Sequence, residues 1–140
     1  MITIEARPEP LTLEPRRTAA LVVDMQNDFA APGGMFDRAG IDISGARPAI
    51  EATRRLVSAA RAAGMPVVYL KMEHEPDLSD AGGEDTPHRI KHRPLGLDRG
   101  EALIRDTWGT AIVDDLAPEP GDVVVSKRRY SGFFGTDLDA

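Results

Sequence analysis

Two charged residues stand where runs of apolar residues end. Asp24 follows "ALVV" and Lys127 follows "VVVS". If both runs are strands of one parallel sheet, both side chains lie at its carboxyl edge, where open α/β sheets bind ligands. Neighbouring strands would bring the pair within ion-pair reach. An aspartate held beside a lysine supplies a base and a fixed positive charge, which together can activate a weak nucleophile. The plainer readings are a turn-forming acid and a solvated lysine. The two occurring together, at corresponding strand ends, favour the chemical reading.

The histidines are weighed in the same way. His74 follows Glu73 just past a second apolar run and is placed to line a pocket at the same edge. His88 and His92 are four apart, the spacing of a metal pair on a helix. Pro87 precedes them, and Arg89, Lys91 and Arg93 surround them, so a solvated basic loop is the preferred reading and no metal ligand is assigned. "KRRY", residues 127–130, offers an anion patch or a solvated run of charge. The chain contains no cysteine, hence no disulfide and no thiolate ligand.

The elements that must position these residues follow from periodicity. Residues 1–18, rich in proline and arginine, read as an extended arm. "AALVVD", Ala19 to Asp24, is a continuous apolar run suited to a strand covered on both faces. Residues 25–43 read as a long loop with Gly33, Gly34 and Gly40, and long loops in compact domains are usually functional. A helix then starts at Ser44 or slightly later. Its inner face carries Ile50, Thr53, Val57 and Ala60, its outer face Arg54, Arg55 and Arg61, and Gly64 is its expected C-cap. "PVVYL", Pro66 to Leu70, is a second strand, which makes a βαβ unit with parallel strands and a right-handed crossover. Residues 71–108 read as a second long loop with a short helix near Leu103. A short helical segment and a Pro-Gly turn precede the third strand, Asp122 to Lys127. "TDLDA" reads as the opening of a helix capped by Thr136, with Asp139 in the capping-box position.

The chain has 140 residues, enough for one domain with a real core. Three parallel strands with an open edge and a helix of one turn suggest the N-terminal part of a larger α/β domain rather than a small domain with a frayed tail. The net charge of −6 argues against nucleic acid as a partner. No apolar run approaches the ~20 residues of a membrane span, so no membrane association is expected. "MITIEARPEP" lacks the features of a secretory signal, and a cytoplasmic location is expected.

With these residues in place, "LVVDMQNDF" and "KRRYSGFFGTDLD" together resemble the isochorismatase-like cysteine hydrolases. "ARPEPLTLEP", the "PGG" loop and "YSGFFGTDLD" are most similar to ureidoacrylate amidohydrolases, while "EHEPDLSD" is closer to biuret and N-carbamoylsarcosine hydrolases. The resemblance implies a three-layer α/β/α fold with a mostly parallel, Rossmann-like sheet, of which residues 19–140 are the N-terminal portion. It implies a cofactor-free, homo-oligomeric enzyme that cleaves a C–N bond of a small ureido, carbamoyl or amide substrate through an Asp-Lys-Cys triad. Asp24 matches the proton acceptor and Lys127 the lysine of that triad. Phe29 matches an aromatic position that packs on substrate, and Tyr130 a pocket position of ureido hydrolases. The cysteine is expected after a fourth strand, roughly 20 residues past Ala140, on the same polypeptide or on a chain supplying the missing half. Three other readings compete: a vinyl-ether hydrolase, a non-catalytic assembly module, and a signalling receiver domain. The last is disfavoured because Lys127 occupies the position its phosphoacceptor would need.

Overall fold

The computed structural model describes residues 1–140. The N-terminal arm folds back on itself: β1 (Ile2–Ile4) pairs antiparallel with β2 (Leu11–Leu13), and a 3-10 turn at Pro15–Arg17 leads into the domain. The central sheet contains β3 (Ala20–Val23), β4 (Val67–Met72) and β5 (Val123–Lys127), all parallel, in the order β3-β4-β5. The fold is therefore α/β, and β4 lies between the two strands that carry Asp24 and Lys127.

The crossover helix α3 (Ala46–Ala62) covers one face of the sheet. Its inner stripe is Ile50, Val57 and Ala60, which pack with Ala20, Val22, Val67 and Tyr69 into the main core. Burying each of the larger side chains contributes ~1.5–3 kcal/mol relative to leaving it in water. Leu56, off that stripe, is exposed. Gly64 adopts φ +72° directly after the helix, and Met65 N–H reaches back to the carbonyl of Ala60 at 2.9 Å, a Schellman closure. The start is set by Asp42, whose Oδ1 accepts the N–H of Ser44 at 2.8 Å, so regular helix begins only at Ala46. Arg61 ties the far end of α3 to Glu119 and Asp122 ahead of β5.

The opposite face is partly open. Leu21, Val23 and Val123 are 51%, 48% and 49% exposed, whereas their alternating neighbours Ala20 and Val22 are buried. The apolar run of β3 suits a strand covered twice, and within these residues only its α3 side is covered. Gly132 lies close to both Leu70 and Leu138 on this side, and Leu70 is buried. Residues 136–140 do not open a helix. Thr136 Oγ1 instead accepts the N–H of Leu138, at 3.3 Å, in a local turn.

The two long connections are more structured than their composition suggests. The first holds the one-turn helices α1 (Asn27–Ala30) and α2 (Met35–Arg38). The second holds α4 (Pro87–His92) and a 3-10 turn at Leu97–Arg99. Leu103 is not helical: it has φ +57°, and its neighbour Ile104 bridges to His74. A second core of Met35, Met72, Leu97, Leu103 and Ile104 joins the two connections beyond the carboxyl edge. A further 3-10 turn, Asp114–Leu116, matches the short helical segment expected before β5. No helix is long and apolar enough to cross a membrane.

Gly34 shows how tightly the first connection is wound. A Cβ there would stand 2.0 Å from the carbonyl oxygen of Asn27. Gly34→Ala is therefore expected to lower stability by about 2 kcal/mol or more, through forced backbone movement. Chemical denaturation of the variant beside the parent measures it, and an unchanged midpoint would show that the turn relaxes freely.

Candidate active site

Asp24 is the first residue past β3. It takes φ +56°, a left-handed conformation uncommon outside glycine, asparagine and aspartate. Its N–H still bonds the carbonyl of Leu70 at 2.9 Å, so the strand pairing persists to this residue and stops. Lys127 is the last residue of β5 and is 1% exposed. The backbones of β3 and β5 are about 10 Å apart, with one strand between them. The lysine side chain spans the gap and places Nζ 3.1 Å from Asp24 Oδ2. Nζ also donates to the carbonyls of Tyr130 at 3.2 Å and Arg129 at 3.5 Å. Three donors thus meet three acceptors, which is what a buried ammonium needs.

The two oxygens of Asp24 differ. Oδ2 is engaged by Lys127, while Oδ1 is buried with no partner. Burial holds the carboxyl above its ordinary range, and the Lys127 charge and hydrogen bond only partly offset this. A raised carboxyl with an unoccupied oxygen is a better proton acceptor than a solvated aspartate.

The residues after Asp24 build the frame around it. Gln26 Nε2 donates to the carbonyls of Met72 at 2.8 Å and Thr110 at 3.0 Å, and its Oε1 accepts the N–H of Met72 at 2.7 Å. Asn27 Nδ2 donates to the carbonyl of Trp108 at 2.8 Å. Asp28 accepts the N–H of Met35 at 3.1 Å and that of Leu103 at 2.8 Å. The side chains of "QND" therefore tie the end of β3 to β4 and to both long connections. Sequence reasoning missed these roles. The available signal was three consecutive polar residues at the end of a buried strand, where each must find a partner.

His74, expected at a pocket wall, is fully enclosed behind the site. Its Nε2 lies 2.8 Å from His88 Nε2, and its Nδ1 is 3.4 Å from Asp80 Oδ1. His88 and His92 correct the expectation of a solvated loop: both are buried on one face of α4. The overlooked signal was Thr86-Pro87, a helix start that puts residues four apart on one side. Tyr130 joins the cluster. Its ring, 55% exposed, meets those of His88 and His92, and Lys91 Nζ lies 5.5 Å from its centroid. Phe29 is half-buried, edge-on to Phe36 with centroids 5.0 Å apart. The run 127–130 is no free basic patch: Lys127 is enclosed, and Arg128 Nε bonds Asp80 Oδ2 at 2.9 Å. A surface concavity of about 690 Å³ lies between α3 and the Asp114–Leu116 turn, and contains neither Asp24 nor Lys127. Its charged lining groups, such as Arg54, Arg61 and Asp115, already pair or face water, and it offers no comparable chemistry.

Comparison with known proteins identifies the family of the chain. The isochorismatase domain model matches residues 18–140. The chain belongs to the isochorismatase family. The ureidoacrylate amidohydrolase RutB of Agrobacterium fabrum is 46% identical over 99% of this chain and 64% of that protein. RutB of Azorhizobium caulinodans is 48% identical over 98% of this chain and 63% of that protein. Among solved structures, a cysteine hydrolase from Pseudomonas syringae pv. phaseolicola superposes with TM-score 0.73 at 35% identity, covering 91% of this chain and 54% of that one. N-carbamoylsarcosine amidase from Thermoplasma acidophilum gives 0.61 at 29% identity, covering 86% and 57%. The chain thus spans about three-fifths of the length of the curated relatives it matches.

Two expectations follow. Asp28→Ala should cost about 2–4 kcal/mol, because two buried N–H groups lose their acceptor. Thermal unfolding measures it, and a shift of under about 1 °C would show that the ties are dispensable. The second concerns pH. Burial lowers the pKa of His74 and His92 and pushes His88 down to about 3. The unfolded chain protonates its histidines near pH 6.5, so below that pH it binds more protons than the folded chain. The stability supplied by the neutral histidines is full above about pH 6.5 and drains as pH falls toward about 3. His88 alone should account for on the order of 1–2 kcal/mol of loss by about pH 5. A denaturation midpoint flat from about pH 7.5 to 5 would contradict the neutral buried cluster.

Proposed function

We propose that the polypeptide carrying these residues is a cysteine-dependent amidohydrolase that cleaves a C–N bond of a small ureido or carbamoyl substrate. The observation that carries this reading is the Asp24–Lys127 pair: one carboxylate oxygen held by a buried ammonium, the other enclosed and unpartnered. The names of the RutB relatives and of N-carbamoylsarcosine amidase support the substrate class.

The chemistry divides as follows. The nucleophile is a thiol supplied from outside these 140 residues, which contain no cysteine. Asp24 takes the thiol proton through Oδ1. The thiolate attacks the carbonyl carbon, and Lys127 offsets the negative charge that develops beside Asp24. The C–N bond breaks as Asp24 returns the proton to the leaving nitrogen. Water then hydrolyses the acyl or carbamoyl thioester, with Asp24 again accepting a proton and the thiol restored. A carboxyl held above its ordinary range suits both directions of transfer. In this reading Phe29 and Tyr130 contact the substrate, and His74 supports the site from behind it.

Asp24→Asn in the full-length protein is expected to keep the fold and to lower kcat by about a thousandfold or more, since an amide cannot take the proton. Ammonia or amine release from ureido substrates measures this, and activity within about tenfold of the parent would remove Asp24 as base. Lys127→Met should lower kcat more than it raises KM, and a change in KM alone would assign Lys127 to uniform binding. Turnover of an enol ether and of no amide or ureide would replace this reading with vinyl-ether hydrolysis.

A further inference from the structure

Three buried histidines adjoin the Asp24–Lys127 pair without touching it. His74 Nε2 and His88 Nε2 are 2.8 Å apart. Two imidazole nitrogens at that distance share one proton, because two lone pairs would repel and two N–H groups would collide. Asp80 decides which ring holds it. Its Oδ1 stands 3.4 Å from His74 Nδ1, too poorly aligned for a hydrogen bond, but the nearby carboxylate charge favours a proton there. The network therefore assigns His74 as Nδ1–H with a free lone pair at Nε2, and His88 as the Nε2–H donor. His92 completes the face: its Nδ1–H donates to the carbonyl of His88 at 2.8 Å, and the two rings lie 4.4 Å apart.

The cluster packs against the segment that follows β5. The His88 ring meets Tyr130 edge-on, with centroids 5.6 Å apart at 73°, and the His92 ring lies 6.1 Å from Tyr130. Tyr130 stands beyond the end of β5, where the ladder no longer orders it. Its carbonyl oxygen is one of the three acceptors of Lys127 Nζ, at 3.2 Å. A second acceptor, the carbonyl of Arg129, belongs to a residue anchored from the same loop, since Arg129 Nη1 donates to the carbonyl of Asp80 at 2.9 Å. The segment that grips the ammonium is thus held by the 74–92 connection at both residues.

We propose that His88 is a positioning residue for Lys127: its hydrogen bond to His74 presses α4 against Tyr130, and the Tyr130 carbonyl then fixes the ammonium on Asp24. The proposal rests on the reading of Lys127 as half of the catalytic pair. A purely structural histidine would fill space, and any ring of similar size would replace it. A positioning histidine acts through its N–H donor, and a side chain that retains a donor of similar reach replaces it.

The test uses the full-length protein labelled with ¹⁵N. In the parent, a through-hydrogen-bond coupling between His74 Nε2 and His88 Nε2 is expected, together with a slowly exchanging Lys127 ammonium signal. His88→Gln keeps a donor at similar reach and should retain both the ammonium signal and kcat within about threefold. His88→Leu should lose the signal and about tenfold or more in kcat, with KM within about twofold. His88→Asn, too short to reach His74, serves if the leucine variant does not fold. Absence of the coupling in the parent overturns the proposal. So does a leucine or asparagine variant with an intact ammonium signal and kcat, or one that changes KM alone. If the parent hydrolyses no ureide or amide, the functional reading fails, while the coupling and the ammonium signal still decide this one.

Discussion

A buried ammonium is the constraint on which the site depends. Lys127 is almost wholly enclosed, and an unpaired charge in such a place costs several kcal/mol. The fold meets that cost with one carboxylate and two carbonyls, drawn from the end of β3 and from the segment after β5. Those groups must be held in place, and much of the structure at the carboxyl edge does so. The arrangement leaves Asp24 with one oxygen in use and one in reserve. Desolvation raises its carboxyl and the lysine restrains the rise, so the pairing sets the position of the acid while burial and the pairing together set its basicity.

The strand order gives the pair its particular geometry. With β4 between β3 and β5, a short basic side chain could not reach Asp24, and a lysine extended across the strand end can. The end of β4 is itself held by Gln26, which closes on Met72 with both a donor and an acceptor. Asn27 and Asp28 fix the two connections that rise from the carboxyl edge. Gly109 follows from this: a Cβ there would stand 2.5 Å from the Asp28 carboxylate oxygens, so only glycine admits the close approach. In the proposed reading, the motif "DMQNDF" thus combines a proton acceptor at Asp24 with architecture at the next three polar residues.

Much of this was legible in the sequence, for stated reasons. The strands and α3 announce themselves through apolar runs and a 3.6-residue period, and Gly64 marks a helix end because few other residues adopt its backbone conformation. Asp24 and Lys127 were legible because a charge ending an apolar run is conspicuous. Their contact across an intervening strand was not, since strand order leaves no local mark in a chain. The connections misled because a long, polar stretch reads as solvated unless its polar groups find partners at a distance. The Asp80–Arg128 and Asp28–Leu103 bonds join residues 48 and 75 positions apart. The histidines misled because flanking charges were given more weight than a Thr-Pro helix start. TDLDA misled because Thr136 satisfies a local turn as readily as a helix.

The most direct test of the account is the titration of the Asp24 carboxyl carbon by ¹³C NMR in the intact protein. A midpoint above the ordinary value of 3.8 is expected, moving further up in Lys127→Met, where burial remains and the offsetting charge is gone. A midpoint at or below the ordinary value, or one unmoved by loss of the lysine, would contradict the claim that burial and Lys127 together tune Asp24 as a proton acceptor.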